Sequence, residues 1–229
     1  MRALLIVVFL LLGLAVIADR VAVGIAEDRV GQELASKGAL AGTPTVDIAG
    51  FPFLTQAVAG RYDDVRISLT ADELGQPEGT RADIALHGVH VPLSSVLSGS
   101  VTEVPVDRID GTATLSYALL SAQLGGDATV RREGDGLRIT KTVELLGQTF
   151  PLTAVGTVAL DGDALVIDVE GAAGAGVDVP EFLVTGVSDL LDLRYTVPAL
   201  PFGLQLTGVQ PAEGGVDVQV SARDTVLSG

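Results

Sequence analysis

Cysteine and tryptophan are absent from the chain, histidine and lysine occur twice each, and only 4% of residues are aromatic. Each absence closes a class of function. Without cysteine there is no disulfide framework, no thiolate nucleophile or metal ligand, and no thiol for lipoprotein acylation. Two lysines, a net charge of −15 and no cationic cluster argue against a nucleic-acid partner and against a polybasic membrane binder. The two histidines, His87 and His90, stand three apart on an alternating segment. They should face opposite sides of a strand unless a bulge at Gly88 realigns them. Zinc needs three or four converging ligands, so no metal site is expected. No window fits Gly-x-Ser-x-Gly, a Walker A loop, Gly-x-Gly-x-x-Gly or a calcium loop.

Acids and arginines remain to be weighed. Asp63-Asp64 opens a strand, Asp107 and Asp110 flank Ile109, and Asp161 and Asp163 sit in a turn. Glycosidic chemistry needs two acids facing each other across a cleft, whereas aspartate in turns is ordinary. Arg131-Arg132, Arg61 or Arg66 could meet an anionic head group, with solvated strand residues as the competing reading. No catalytic residue and no cofactor is expected.

What is present is aliphatic. Hydrophobic residues make up 48% of the chain, charged residues 19%, and the mean hydropathy is +0.48. That excludes disorder over most of the length, and 229 residues suffice for a substantial core. Twelve arginines against two lysines, with abundant Ala, Gly, Val and Asp, suggest a high-GC bacterial genome. Residues 3–18 are uninterruptedly apolar, preceded by Arg2 and closed by Asp19-Arg20. The run falls between a signal-peptide core and a spanning helix, and the charges around it place the body outside the cytoplasm. An uncleaved anchor is expected, with cleavage after residues 16–18 as the alternative.

Beyond it, Val23, Ala26, Val30 and Leu34 recur at helical spacing over residues 19–37, and Gly38 is a suitable stop. Residues 45–49 read as extended and 52–59 as a short helix entered at Pro52 and capped by Gly60. Val65, Ile67 and Leu69 alternate as a strand, as do Ala82, Ile84 and Leu86 before a phase shift at Gly88. A helix over 92–97, a strand over 104–115 and a helix from the Ser116 cap through Leu124 follow. Strands at 127–132 and 137–145 turn at Gly134, and those at 149–160 and 164–170 turn at residues 161–163. A small-residue loop over 171–176, a helix over 180–191 and a last hairpin of 204–209 with 216–220 complete the chain. Eight or nine strands arranged in hairpins predict an antiparallel α+β domain. The boundaries are residues 1–18 for the anchor or signal segment, 19–43 for a helix and linker, and 44–229 for one domain.

Short apolar helices between strands either plug a core or line a groove for an acyl chain, which needs continuous apolar surface and few hydrogen bonds. A set of local patterns sharpens this. Gly50-Phe51-Pro52-Phe53-Leu54-Thr55-Gln56 with Gly60 and Val65, Val89-x-Val91-Pro92-Leu93, Asp110-Gly111-Thr112-Ala113 and Leu200-Pro201-Phe202-Gly203-Leu204 resemble the LmeA-like phospholipid-binding family. The resemblance covers about residues 20–222. It implies an envelope protein, anchored or secreted, that binds anionic phospholipids such as phosphoinositides and is linked to growth of lipid-anchored mannan glycans. It also implies a fold similar to tubular lipid-binding domains, with a curved antiparallel sheet around a helix and an apolar groove.

The leading expectation is therefore a non-enzymatic phospholipid-binding module of the cell membrane or periplasm-like envelope space. Phe51, Phe53, Leu54 and Val58 are the first candidates for its lining, then Leu93, Leu97, Phe202 and Leu204. Core packing is the competing reading for each. The alternatives are an enzyme of envelope glycolipids using Asp63, Asp64 or Asp110, and an accessory factor of a membrane glycosyltransferase.

Overall fold

A computed structural model describes residues 2–125, 128–145, 148–162, 164–174, 193–196, 200 and 203–228. It has the expected α+β class, with a long N-terminal helix, short helices between strands, and antiparallel sheets. Helix α1 (Arg2–Lys37) is unbroken, so residues 19–37 do continue the apolar run. It stops where Gly38 N donates to Leu34 O at 2.8 Å.

Strand β1 (Thr45–Ala49) buries Val46 and Ile48 and exposes Thr45 and Asp47. It pairs with β2 (Arg61–Leu69) so that Ile48 lies opposite Val65 and Val46 opposite Ile67, placing one apolar face on both strands. Between them, α2 (Phe53–Ala59) ends at Gly60, whose φ of 66° is the left-handed conformation that glycine adopts without strain. Pro52 stands at the N-cap with extended backbone, just outside the first turn where it was expected.

After α3 (Ala71–Leu74) come β3 (Arg81–His90), α4 (Leu93–Ser98), β4 (Glu103–Ser116) and α5 (Tyr117–Gln123). The Ser116 cap is as expected: its hydroxyl accepts from Leu119 N at 3.2 Å. Then follow β5 (Ala128–Glu133), β6 (Gly136–Leu145), β7 (Gln148–Asp161), β8 (Ala164–Gly174), β9 (Leu193–Thr196), β10 (Gln205–Pro211) and β11 (Gly215–Ser228). Six strands are hydrogen-bonded in the order β1-β2-β3-β4-β11-β10 and five in the order β5-β6-β7-β8-β9.

Three expectations need correction. The described residues hold eleven strands, not eight or nine. Residues 171–174 are strand rather than loop, because Gly171 pairs with Val155 and Gly174 with Leu152; Ala and Gly lack the side-chain alternation by which a strand is recognised. The last strand runs on to Ser228 instead of closing at residue 220. The helix expected over 180–191 lies outside the described residues.

The chain forms two compact units. The first comprises Met1–Leu69, Asp83–Asp110 and Ala222–Gly229. Its core includes Val46, Ile48, Phe53, Val65, Ile67 and Val106. The second comprises Thr70–Ala82 and Gly111–Ser221. There Val130, Leu137, Ile139, Val216 and Val218 form the buried cluster, with Leu120 and Leu124 packed against it from the α5 segment. Two buried hydroxyls in this unit are satisfied: Thr80 donates to Ser116 at 3.0 Å and Thr114 to Asp217 at 2.6 Å.

Candidate functional site

The first unit presents an apolar surface built by α2, α4 and the residues leading into them. In α2 the buried residues are Phe53 and Ala57, one turn apart, which commits that stripe to the core. Phe53 is 5% exposed and its ring lies 6.0 Å from that of Tyr62. Leu54 and Val58 lie one residue further round and turn outward, at 42% and 76% exposure. Phe51, just before the helix, is 63% exposed. Helix α4 buries nothing: Leu93 is half-buried, and Val96 and Leu97 are 47% and 79% exposed. The two helices touch, and Gly60 O accepts Val91 N at 2.9 Å where the chain turns toward α4.

Of the eight lining candidates, the structure thus brings Phe51, Leu54, Val58, Leu93 and Leu97 onto adjoining segments of one unit and places Phe53 in the core beneath. Leu204 belongs to the second unit and is half-buried; Phe202 lies outside the described residues. Val96 was not among the candidates. In a six-residue helix, periodicity could not have told it from a core position.

Asp19, at the end of the apolar run, holds α2 in place, a role that no sequence pattern announces. Its side chain is buried, Oδ1 accepts Leu54 N at 2.8 Å and Oδ2 accepts Arg20 Nη2 at 2.7 Å. Burial alone would raise its pKa, but the Arg20 bond and the Leu54 and Phe53 amides hold it below the usual carboxylate range. The Arg20 guanidinium in turn lies 5.3 Å from the Phe51 ring centroid, a cation–π contact.

The polar residues gather elsewhere in the same unit. Gly88 has a φ of 64°, and a Cβ there would run into the Asp107 side chain. Both histidines of β3 lie beside carboxylates of β4. His90 Nε2 lies 3.0 Å from Asp107, which Arg61 also contacts at 3.0 Å. His87 lies between Asp64 (3.8 Å) and Asp110 (3.4 Å), and these acids are paired with Arg66 and Arg108 at 2.6 and 2.7 Å. One Asp64 oxygen, Oδ1, is buried without a hydrogen-bond partner among the described residues. Asp63 is exposed, and its backbone N–H donates to Gln56 at 3.1 Å. Among the described residues no three His, Asp or Glu side chains are grouped to hold a metal ion. Asp64, Asp107 and Asp110 each pair with an arginine, the arrangement of an ion-pair ladder in which Asp64 is the least exposed member. In the second unit, the concavity beside α3 is lined by Thr70, Asp72, Glu78, Thr80 and Arg81 with Ala71 and Gly79 between them, so it presents no row of large apolar side chains to an acyl chain.

A family model described as LmeA-like phospholipid-binding matches residues 17–221. No curated protein and no solved structure matches the chain.

Proposed function

Since the chain belongs to the LmeA-like phospholipid-binding family, we propose that it is a non-enzymatic phospholipid-binding protein whose acyl contacts are made by α2 and α4. The observation that carries this reading is the exposure of Phe51, Leu54, Val58 and Leu97, at 63%, 42%, 76% and 79%. These side chains stand in water on the side of α2 and α4 away from the buried Phe53 and Ala57, and acyl chains would remove that surface from solvent at about 25 cal/mol per Å². Leu93 continues the surface, Phe53 supports it from below, and Phe202 and Leu204 are further candidates for acyl contact. Arg20, beside Phe51, is the donor placed to meet a phosphate head group such as that of a phosphoinositide.

On the same reading residues 3–18 remain as a membrane tether, and the domain works in the envelope outside the cytoplasm. The helix α1 is long and apolar enough to cross a membrane, which supports the tether. A contribution to lipomannan-type lipoglycan maturation, with a membrane glycosyltransferase as partner, is the further role the family resemblance suggests for it. Reading the chain as a glycolipid enzyme would draw on His87, which lies between Asp64 and Asp110.

Native mass spectrometry of the full chain, purified from its host in mild detergent, tests the proposal. Phospholipid adducts are expected on the parent protein and not on a folded Leu54→Asp/Val58→Asp variant. A parent protein without adducts would refute phospholipid binding, and adducts undiminished in the variant would remove α2 from the site.

A further inference from the structure

The apolar surface of α2 and α4 lies at a defined height along α1. Gly31 of α1 packs against the backbone of Pro44 and the side chain of Thr43. Glu27 accepts Ile48 N at 2.9 Å, Arg20 lies over Phe51, and Asp19 accepts Leu54 N. As the chain advances from residue 43 to residue 54, its partner on α1 therefore recedes from residue 31 to residue 19. Strand β1 runs back along the helix, toward the apolar run. At about 1.5 Å per residue this return covers roughly 18 Å and delivers α2 to the level where the run of residues 3–18 ends.

That run is short for its task. Sixteen helical residues span about 24 Å, against a hydrocarbon layer of about 30 Å. The missing few Å fall where α1 leaves Ala18, because Arg2 closes the other end. Val21 and Ile25 are 57% and 52% exposed on the next two turns of α1. Phe51 and Leu54 stand at that height, α2 carries Val58 one turn on from Leu54, and α4 adjoins through the contact of Gly60 with Val91 and Pro92. Asp19, the carboxylate α1 itself presents here, is 2% exposed and tied to Leu54 N and Arg20. Asp63 and Asp64 stand near the start of β2 at the same end, Asp63 exposed and Asp64 paired with Arg66, so the surface has an acidic border beside its apolar side chains.

We propose that the α2–α4 end of the first unit is a membrane-docking surface. Phe51, Leu54, Val58, Val96 and Leu97 enter the outer layer of the same bilayer that α1 spans and make up the apolar thickness the helix lacks. This rests on the tethered, lipid-binding reading, and it adds that the surface meets an intact bilayer and not only single lipids. The domain then lies on the membrane, with the acyl-binding side chains already among acyl chains.

The absence of cysteine makes a direct test simple. Full-length Val58→Cys, Leu97→Cys and Ser36→Cys variants carry a polarity-sensitive dye and are reconstituted in vesicles of phosphatidylcholine and phosphatidylglycerol. Ser36, near the far end of α1, is the solvated reference. Dyes at residues 58 and 97 should be blue-shifted, shielded from aqueous iodide relative to residue 36, and quenched by lipids spin-labelled near the head group. Iodide quenching at 58 and 97 as strong as at 36 overturns the proposal. Shielding without quenching by spin-labelled lipid overturns it as well, because the cover is then protein. Mass-spectrometric adducts on a chain whose residues 58 and 97 stay aqueous would leave phospholipid binding standing and remove the docking surface.

Discussion

Replacing Val58 by aspartate separates a lipid-facing residue from a core residue by magnitude. Fully burying a valine stabilises a fold by about 1.5–3 kcal/mol. Val58 is 76% exposed, so the fold draws on only about a quarter of that, roughly half a kcal/mol. A chain of this size loses about 2–4 °C in Tm per kcal/mol, so Val58→Asp should lower Tm by only about 1–2 °C. Phe53→Ala provides the contrast: at 5% exposure the lost ring should cost about 3–5 kcal/mol and on the order of 6–20 °C. Lipid reverses the ranking. If acyl chains cover what water now touches at Val58, the variant forfeits about 1–2 kcal/mol of contact, a roughly 5- to 30-fold weaker affinity. Placing a carboxylate against hydrocarbon adds to that loss. Circular dichroism melts in detergent, alongside titration with a short-chain phospholipid read by native mass spectrometry, measure both quantities. A Val58→Asp melt as low as that of Phe53→Ala would show the position to be core. Unchanged lipid affinity in a folded Val58→Asp would show that lipid does not sit there.

Other outcomes follow from the same geometry. If residues 3–18 are retained, the full chain should stay with membranes through a carbonate wash; a mature N-terminus near Asp19 in the culture medium would refute the tether. The double change His87→Gln/His90→Gln should leave lipid loading intact, and loss of loading in a folded variant would bring the ion-pair ladder into the function. Asp19 has a lowered pKa in the fold, so its stabilisation of α2 is present above the ordinary carboxylate range and lost as pH falls through its own, lower pKa. Hydrogen exchange at α2 should accordingly distinguish the parent from Asp19→Asn at neutral pH and cease to do so in acid; a difference that persisted in acid would refute the role given to the carboxylate.

Much of the fold was legible because local chemistry and tertiary structure agree. Alternation at Val65, Ile67 and Leu69, the Ser116 cap and the stop at Gly60 each express a backbone rule that packing does not override. Helix α3 also carries a local signature: Thr70 and Glu73 form a reciprocal capping box, with Thr70 N donating to Glu73 at 2.6 Å. Strand β9 is four residues long and is held by its pairing to β8, a long-range partnership that no local pattern announces. The candidate surface was legible in identity but not in depth. Phe51, Phe53, Leu54 and Val58 are equally apolar on paper, and seven residues of helix are too few for periodicity to say which stripe is buried. Only the seating of Phe53 against Tyr62 and the tie from Asp19 to Leu54 decide it.

The return of β1 along α1 also sets where a soluble form of the protein can begin. A fragment starting at Thr45 would keep every strand yet lose the helix face on which Val46 and Ile48 lie, along with the Glu27 and Asp19 carboxylates that receive the Ile48 and Leu54 amides. Freshly uncovered apolar edges of that kind promote aggregation. A fragment starting at Asp19 keeps the helix face and both carboxylates. The same boundary lies between Ala18 and Asp19, so a chain released from the membrane at that point would leave with its lipid-facing helices still held in place.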